Sequence, residues 1–251
     1  MQAVRGNVAS AIRLAGCVLF ASVLAGCGHL VYDARTLTAG RLHSAIATDD
    51  VAYIHAAISS GTASPNLHIP APGYLEGTPL ITIAARNASL GVLRYLIEAG
   101  AGINAHTPAG ETALMLASFF SEQGSRHEQA ARILVNAGAS LENEPHHYTP
   151  LSYAAYQGNE RILRFLLERG ARVDADASEG LIYVNTPLMM AAIQGHREIA
   201  LYLLRAGADP RVRIQWGHTA AELAAKYNHT SLSRTLRCAE MRVAGVAARC
   251  E

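Results

Sequence analysis

The stretch that decides the fold is NTPLMMAAIQGHREIALYLLRAGAD, Asn185 to Asp209. It reads as two short helices joined by a tight turn. Thr186 can offer its hydroxyl to the free N–H groups that open a helix, and Pro187 follows at the first helical position, where a missing N–H is no loss. Leu188, Ala191 and Ala192 give that helix a narrow apolar face built partly of small side chains. Gly195 stands where the chain must turn through the left-handed region. Ile199, Leu201, Leu203 and Leu204 make a second apolar helix, closed by Gly207. Neither helix is long enough to persist alone, and the pair leaves apolar surface on two sides. Such a unit requires copies of itself.

The copies are present. Thr-Pro-Leu or its remnant recurs at Thr78, Thr112, Thr149, Thr186 and Thr219, in steps of 34, 37, 37 and 33 residues. The closing Gly-Ala recurs at Gly100, Gly138, Gly170 and Gly207. A period near 33 that carries T-P-L, A-A, G-H and L-L-x-x-G-A resembles the ankyrin repeat. The resemblance covers residues 40 to 237 and implies an all-α solenoid with short β-hairpin fingers, about five to six helix pairs including caps. It also implies a binding scaffold.

The chain begins differently. Arg5 and Arg13 precede an apolar run from Leu14 to Gly26 that carries no charge. Its 13 residues fall short of the ~20 that span a bilayer. The run ends in Leu24-Ala25-Gly26-Cys27, which resembles a bacterial lipobox. The same four letters stand at Leu14 to Cys17, but cleavage there would leave too short an apolar stretch. The resemblance implies a signal peptide over 1–26, a lipid-modified Cys27, and a tether over 27–38 ahead of the repeat domain at 39–237. Gly28 at the following position, in place of aspartate, implies the outer membrane with the protein facing the periplasm.

Composition fits one exported domain. Without Arg5 and Arg13, 19 basic residues face 20 acidic ones, and nothing concentrates positive charge, which argues against nucleic acid as the ligand. Lys226 is the single lysine.

Arg41 to Gly61 has the two-helix rhythm without Thr-Pro-Leu and reads as the N-terminal cap, with Asp49 and Asp50 at the positive start of its second helix. Pro65 to Gly73 reads as an irregular loop. Repeat one carries one extra residue, expected as a bulge near Ile81 to Ile83, and repeat two carries an insertion at Ser121 to Ser125. Repeat five, from Thr219, reads as the C-terminal cap. The histidine that the family places after Thr-Pro-Leu is replaced by Ile81, Met115, Ser152, Met189 and Glu222. In the family that histidine ties neighbouring repeats, so here adhesion is expected to rest more on apolar burial.

No residue pattern points to catalysis. The chain contains no G-x-S-x-G elbow, P-loop or G-x-G-x-x-G, so no cofactor is expected. His106, His146, His147 and His218 lack metal-site spacing and read as finger-tip residues; no metal is expected. The resemblance places partner contacts at the finger tips and on the two residues after each Ala-Ala. Those positions supply Arg86, Phe119, Tyr156, Ile193 and Lys226, and the fingers add Tyr74, Tyr148, Tyr183 and Trp216. An apolar, aromatic centre with charged ends has the composition of a protein-binding hot spot. Phe119 and Ile193 read equally as exposed or as half-buried between repeats; Tyr148 and Trp216, beside turns, are expected to be exposed. The resemblance leaves open an immunity or inhibitor role against a periplasmic toxin or hydrolase, and an adaptor role for an envelope enzyme. The protein is expected to be monomeric alone.

Residues 238–251 form a tail in which Cys238 and Cys250 are either bridged or free. A straight helix would hold their α-carbons ~18 Å apart, beyond the ~7 Å a disulfide allows. A bridge therefore requires the last helix to end before Gly245.

The lipobox reading makes a direct prediction. Cys27→Ala should abolish fatty-acid attachment; metabolic labelling with a radioactive fatty acid checks it, and equal label in the variant would contradict the reading.

Overall fold

The computed structural model describes residues 34–71, 74–120, 125–142, 148–174, 185–213 and 217–245. Among these, twelve helices fall into six pairs. They are α1 (Ala34–Ala47) with α2 (Val51–Ser59), α3 (Leu80–Arg86) with α4 (Leu90–Glu98), and α5 (Ala113–Phe119) with α6 (Ser125–Asn136). They continue as α7 (Pro150–Gln157) with α8 (Glu160–Glu168), α9 (Pro187–Gln194) with α10 (Arg197–Arg205), and α11 (Ala220–Lys226) with α12 (Thr230–Val243). The first helix of each pair stacks on the first helix of the next, and the second helices form an outer row that packs less closely.

Small side chains permit the close inner stack. Ala84, Ala85, Ala117, Ala154, Ala155, Ala191, Ala192, Ala221 and Ala224 are all fully buried. The outer helices add the larger side chains, among them Leu93, Leu96, Leu134, Ile162, Leu166 and Leu203. The result is the all-α solenoid.

The threonines at Thr112, Thr149, Thr186 and Thr219 each cap an inner helix, accepting the N–H of Met115, Ser152, Met189 and Glu222 at 3.2–3.4 Å. The residue that replaces the family histidine helps close two of these caps. The Glu222 carboxylate accepts the Thr219 N–H at 2.9 Å, and the Met115 sulfur takes that of Thr112 at 3.4 Å.

Repeat one departs from expectation. Residues Pro65 to Gly73 are not wholly irregular: β1 (His68–Ala71) pairs antiparallel with β2 (Tyr74–Pro79), and Ile69 opposite Thr78 is buried. The strand draws Thr78 into the sheet, so Pro79 takes the N-cap position and no bulge forms within α3. The extra residue is absorbed by the hairpin. The position of the family histidine therefore falls on Thr82, not Ile81, and the Thr82 hydroxyl donates to the Pro79 carbonyl at 2.7 Å. At the N-terminus α1 begins at Ala34, inside the stretch read as tether. Asp50 caps its own helix through the Tyr53 N–H, whereas Asp49 caps the next repeat's α4 through Gly91 and Val92 and pairs with Arg126.

Polar contacts between repeats are more regular than expected. His127, His196 and His229 each place Nε2 within 2.9–3.1 Å of the carbonyl of Arg86, Tyr156 and Ile193, in the repeat before. A carbonyl only accepts, so Nε2 carries the proton in each. On the finger side, Asn66, Asn104, Glu142 and Asp174 accept the N–H of Gly102, Ser140, Arg172 and Asp209 at 2.7–2.9 Å. Burial raises the Asp174 pKa; the Asp209 N–H opposes this and the Asp209 charge adds to it. Adhesion thus rests on two hydrogen-bond ladders as well as apolar burial. A net ~0.5–1.5 kcal/mol per hydrogen bond against ~1.5–3 kcal/mol per buried leucine leaves burial dominant in energy. The ladders set the register.

At the C-terminus α12 ends at Val243 and Gly245 takes the left-handed conformation, φ 73°. Cys238 is disulfide-bonded. Cys250, its expected partner, lies outside the described residues, as does Cys27.

The histidine ladder predicts an asymmetry between two glycines. Gly195 and Gly207 both have left-handed φ, 77° and 98°. A Cβ on Gly195 would run into the His229 ring, while one on Gly207 meets nothing. Gly207→Ala should cost the left-handed penalty of about 1–2 kcal/mol, and Gly195→Ala clearly more. Urea unfolding of the two variants checks this; equal losses would contradict it.

Candidate protein-binding ridge

The last turn of each inner helix ends at the same edge of the stack. Counting from the N-caps Pro79, Thr112, Thr149, Thr186 and Thr219, the seventh and eighth residues are Arg86–Asn87, Phe119–Phe120, Tyr156–Gln157, Ile193–Gln194 and Lys226–Tyr227. The seventh carbonyl is bound by the next repeat's histidine at Arg86, Tyr156 and Ile193, which holds these residues in line.

The centre of this ridge is aromatic. Phe119 stacks on Tyr156 with ring centroids 6.1 Å apart and meets Phe120 and Tyr153 edge-on at 5.0 and 5.3 Å. Tyr153 in turn meets Tyr148 edge-on at 6.0 Å. The Arg86 guanidinium lies over the Phe120 ring at 4.8 Å. All five aromatic residues are half-buried. The Tyr153 hydroxyl donates to Glu111, and Tyr156 hydrogen-bonds the Gln194 side chain. Burial raises the Tyr156 phenol pKa, the Gln194 bond works against it, and Tyr227 adds to it. At the N-terminal end His43 is lowered, by burial first and then by the Arg86 charge.

The structure brings Arg86, Phe119, Tyr156, Ile193 and Lys226 onto one edge. Phe119 and Ile193 are half-buried, which decides between the two readings left open. Tyr148 is not an exposed finger-tip residue; it packs against Tyr153 and the core. Tyr183 and Trp216 lie outside the described residues, and of Tyr74 the structure describes only the backbone. Phe120, Tyr153 and Tyr227 were not singled out from the sequence. Phe120 and Tyr227 follow directly after the seventh position, so the repeat register alone could have found them.

Among the described residues no three His, Cys, Asp or Glu side chains come together to hold a metal ion, and no helix is long and apolar enough to cross a membrane. His106 is exposed at a finger, and His218 stands 3.8 Å from Glu222 as part of the last cap. His146 and His147 lie outside the described residues.

Comparison with known families agrees with this architecture. The family model described as ankyrin repeats (3 copies) matches residues 42–144 and 81–177, and a second, described as ankyrin repeats (many copies), matches 151–204. A search of curated proteins finds no match. Ankyrin repeats serve as protein–protein interaction scaffolds, which makes another protein the expected partner. With six helix pairs, inner helices capped by threonines and family matches over more than half its length, the chain belongs to the ankyrin-repeat family.

Proposed function

We propose that the protein is a lipid-anchored, periplasm-facing scaffold that binds another protein through the inner-helix ridge and the adjoining fingers. The continuous aromatic surface from Phe120 through Phe119 to Tyr156 carries this reading. Half-buried aromatic rings present large apolar area already fixed in place, so a partner gains contact without ordering loose side chains. In this reading the Cys27 lipid holds the ridge close to the membrane, and a Cys238–Cys250 bridge closes the tail beside the last repeat.

The use that fits best is immunity or inhibition: a rigid ridge covers a toxin or hydrolase that acts in the periplasm. The rival is an adaptor that retains an envelope enzyme near the membrane. The two differ in what capture does to the partner, since an inhibitor silences the captured activity and an adaptor leaves it intact. An enzymatic role of the chain itself has no motif to support it.

Crosslinked pull-down of the lipidated protein from envelope extracts, followed by assay of the captured partner with and without the protein, tests the proposal. Tyr156→Ala and Trp216→Ala should each weaken capture by roughly 1–4 kcal/mol with circular dichroism unchanged. Full capture by both variants would remove the ridge from the reading.

A further inference from the structure

Resting on the reading of the ridge as the binding surface, we infer that its occupant is a polyproline-II segment of a partner, with acidic residues at both ends and apolar residues at every third position between them. The first argument is charge. The ten ridge positions contain no carboxylate, and their cations stand at opposite ends, Arg86 in repeat one and Lys226 in repeat five. Lys226 is exposed and makes no ion pair among the described residues. The negative ends of the inner helices point along the same edge and would repel an acidic ligand. At Arg86, Tyr156 and Ile193, however, the terminal carbonyl already receives a histidine N–H. The ridge therefore favours anionic groups at its ends and apolar groups at its centre.

The second argument is spacing. Packed helices lie 8–10 Å apart, so one ridge site follows another by roughly that distance. A polyproline-II helix rises about 3.1 Å per residue with three residues per turn, which returns every third side chain to the same face after ~9.3 Å. A flat strand shows alternate residues to one face and an α-helix advances only ~5.4 Å per turn, so neither keeps this register. Aromatic faces are the usual partners of such segments, because proline rings lie flat against them. The four steps from Arg86 to Lys226 span roughly 32–40 Å. Thirteen residues of polyproline II cover about 37 Å.

The test uses fluorescein-labelled thirteen-residue peptides titrated against the full-length lipidated protein in detergent and followed by anisotropy. One peptide carries glutamate at both ends and proline-rich sequence with leucine at every third position; a second has lysine at both ends; a third keeps the glutamates but shifts the leucines to helical spacing in an alanine background. The first should bind, and more weakly as salt rises. Arg86→Gln with Lys226→Gln should weaken it roughly three- to tenfold and flatten the salt dependence. Phe119→Ala should weaken it while leaving the salt dependence in place. No binding of the first peptide, equal binding of the lysine-ended one, or tighter binding of the helical one would each overturn the inference. If the ridge variants lose the envelope partner yet none of the peptides binds, only the polyproline-II assignment falls. If the variants lose nothing, the ridge itself is refuted.

Discussion

The carbonyl at the seventh position of an inner helix, and the histidine that reaches it from the next repeat at Arg86, Tyr156 and Ile193, constrain the rest of the structure. The rings of His196 and His229 lie across the helix ends they reach, leaving no room for a Cβ at Gly158 or Gly195: at Gly158 an added Cβ would come 2.8 Å from His196. Glycine also permits the left-handed turn that starts the second helix. One residue thus serves both the turn and the contact. Elsewhere the same turn bears a side chain: Asn228, φ 67°, where no histidine crosses among the described residues, and Ala88, φ 50°, although His127 reaches the Arg86 carbonyl.

This constraint accounts for the ridge. Because the inner helices stack on one another, and the following repeat's histidine holds the seventh carbonyl at Arg86, Tyr156 and Ile193, the seventh and eighth side chains of successive repeats fall into a row. Folding constrains their identities only in part, since Arg86, Phe119, Phe120, Tyr156, Ile193 and Gln194 are half-buried whereas Asn87, Gln157, Lys226 and Tyr227 are exposed. In this chain the row is filled in its middle by Phe119, Phe120, Tyr156 and Ile193 and at its ends by Arg86 and Lys226. Elsewhere the same residue types are tied into the scaffold. Phe165 on the outer row is buried between the guanidinium groups of Arg132 and Arg169, at 4.4 and 4.7 Å. Arg164 covers Tyr202 at 4.9 Å.

What the sequence revealed follows the range of the interactions. Capping by Thr112, Thr149, Thr186 and Thr219 spans three residues and was legible from the motif alone. The end of α12 before Gly245 was reached differently, from the turn that a Cys238–Cys250 bridge would need. Thr78 has the same motif and does not cap, because pairing with Ile69 pulls it into a strand. The histidine ladder was not read, since each bond joins residues 36 to 41 positions apart. The half-burial of Tyr148 likewise depends on Tyr153 and could not be seen from the turn beside it. The ridge register was visible in the repeat, but its aromatic continuity through Phe120 and Tyr153 needed the packing of adjacent repeats.

The central claim is that this edge, and not the outer row, meets the partner. A photo-crosslinking amino acid placed singly at Phe120, at Gln157 and, on the outer helices, at Arg161 and Arg205 tests it in living cells. The account predicts a discrete higher-mass adduct from Phe120 and Gln157 and none from Arg161 or Arg205. Adducts from the outer positions with none from the ridge would contradict it.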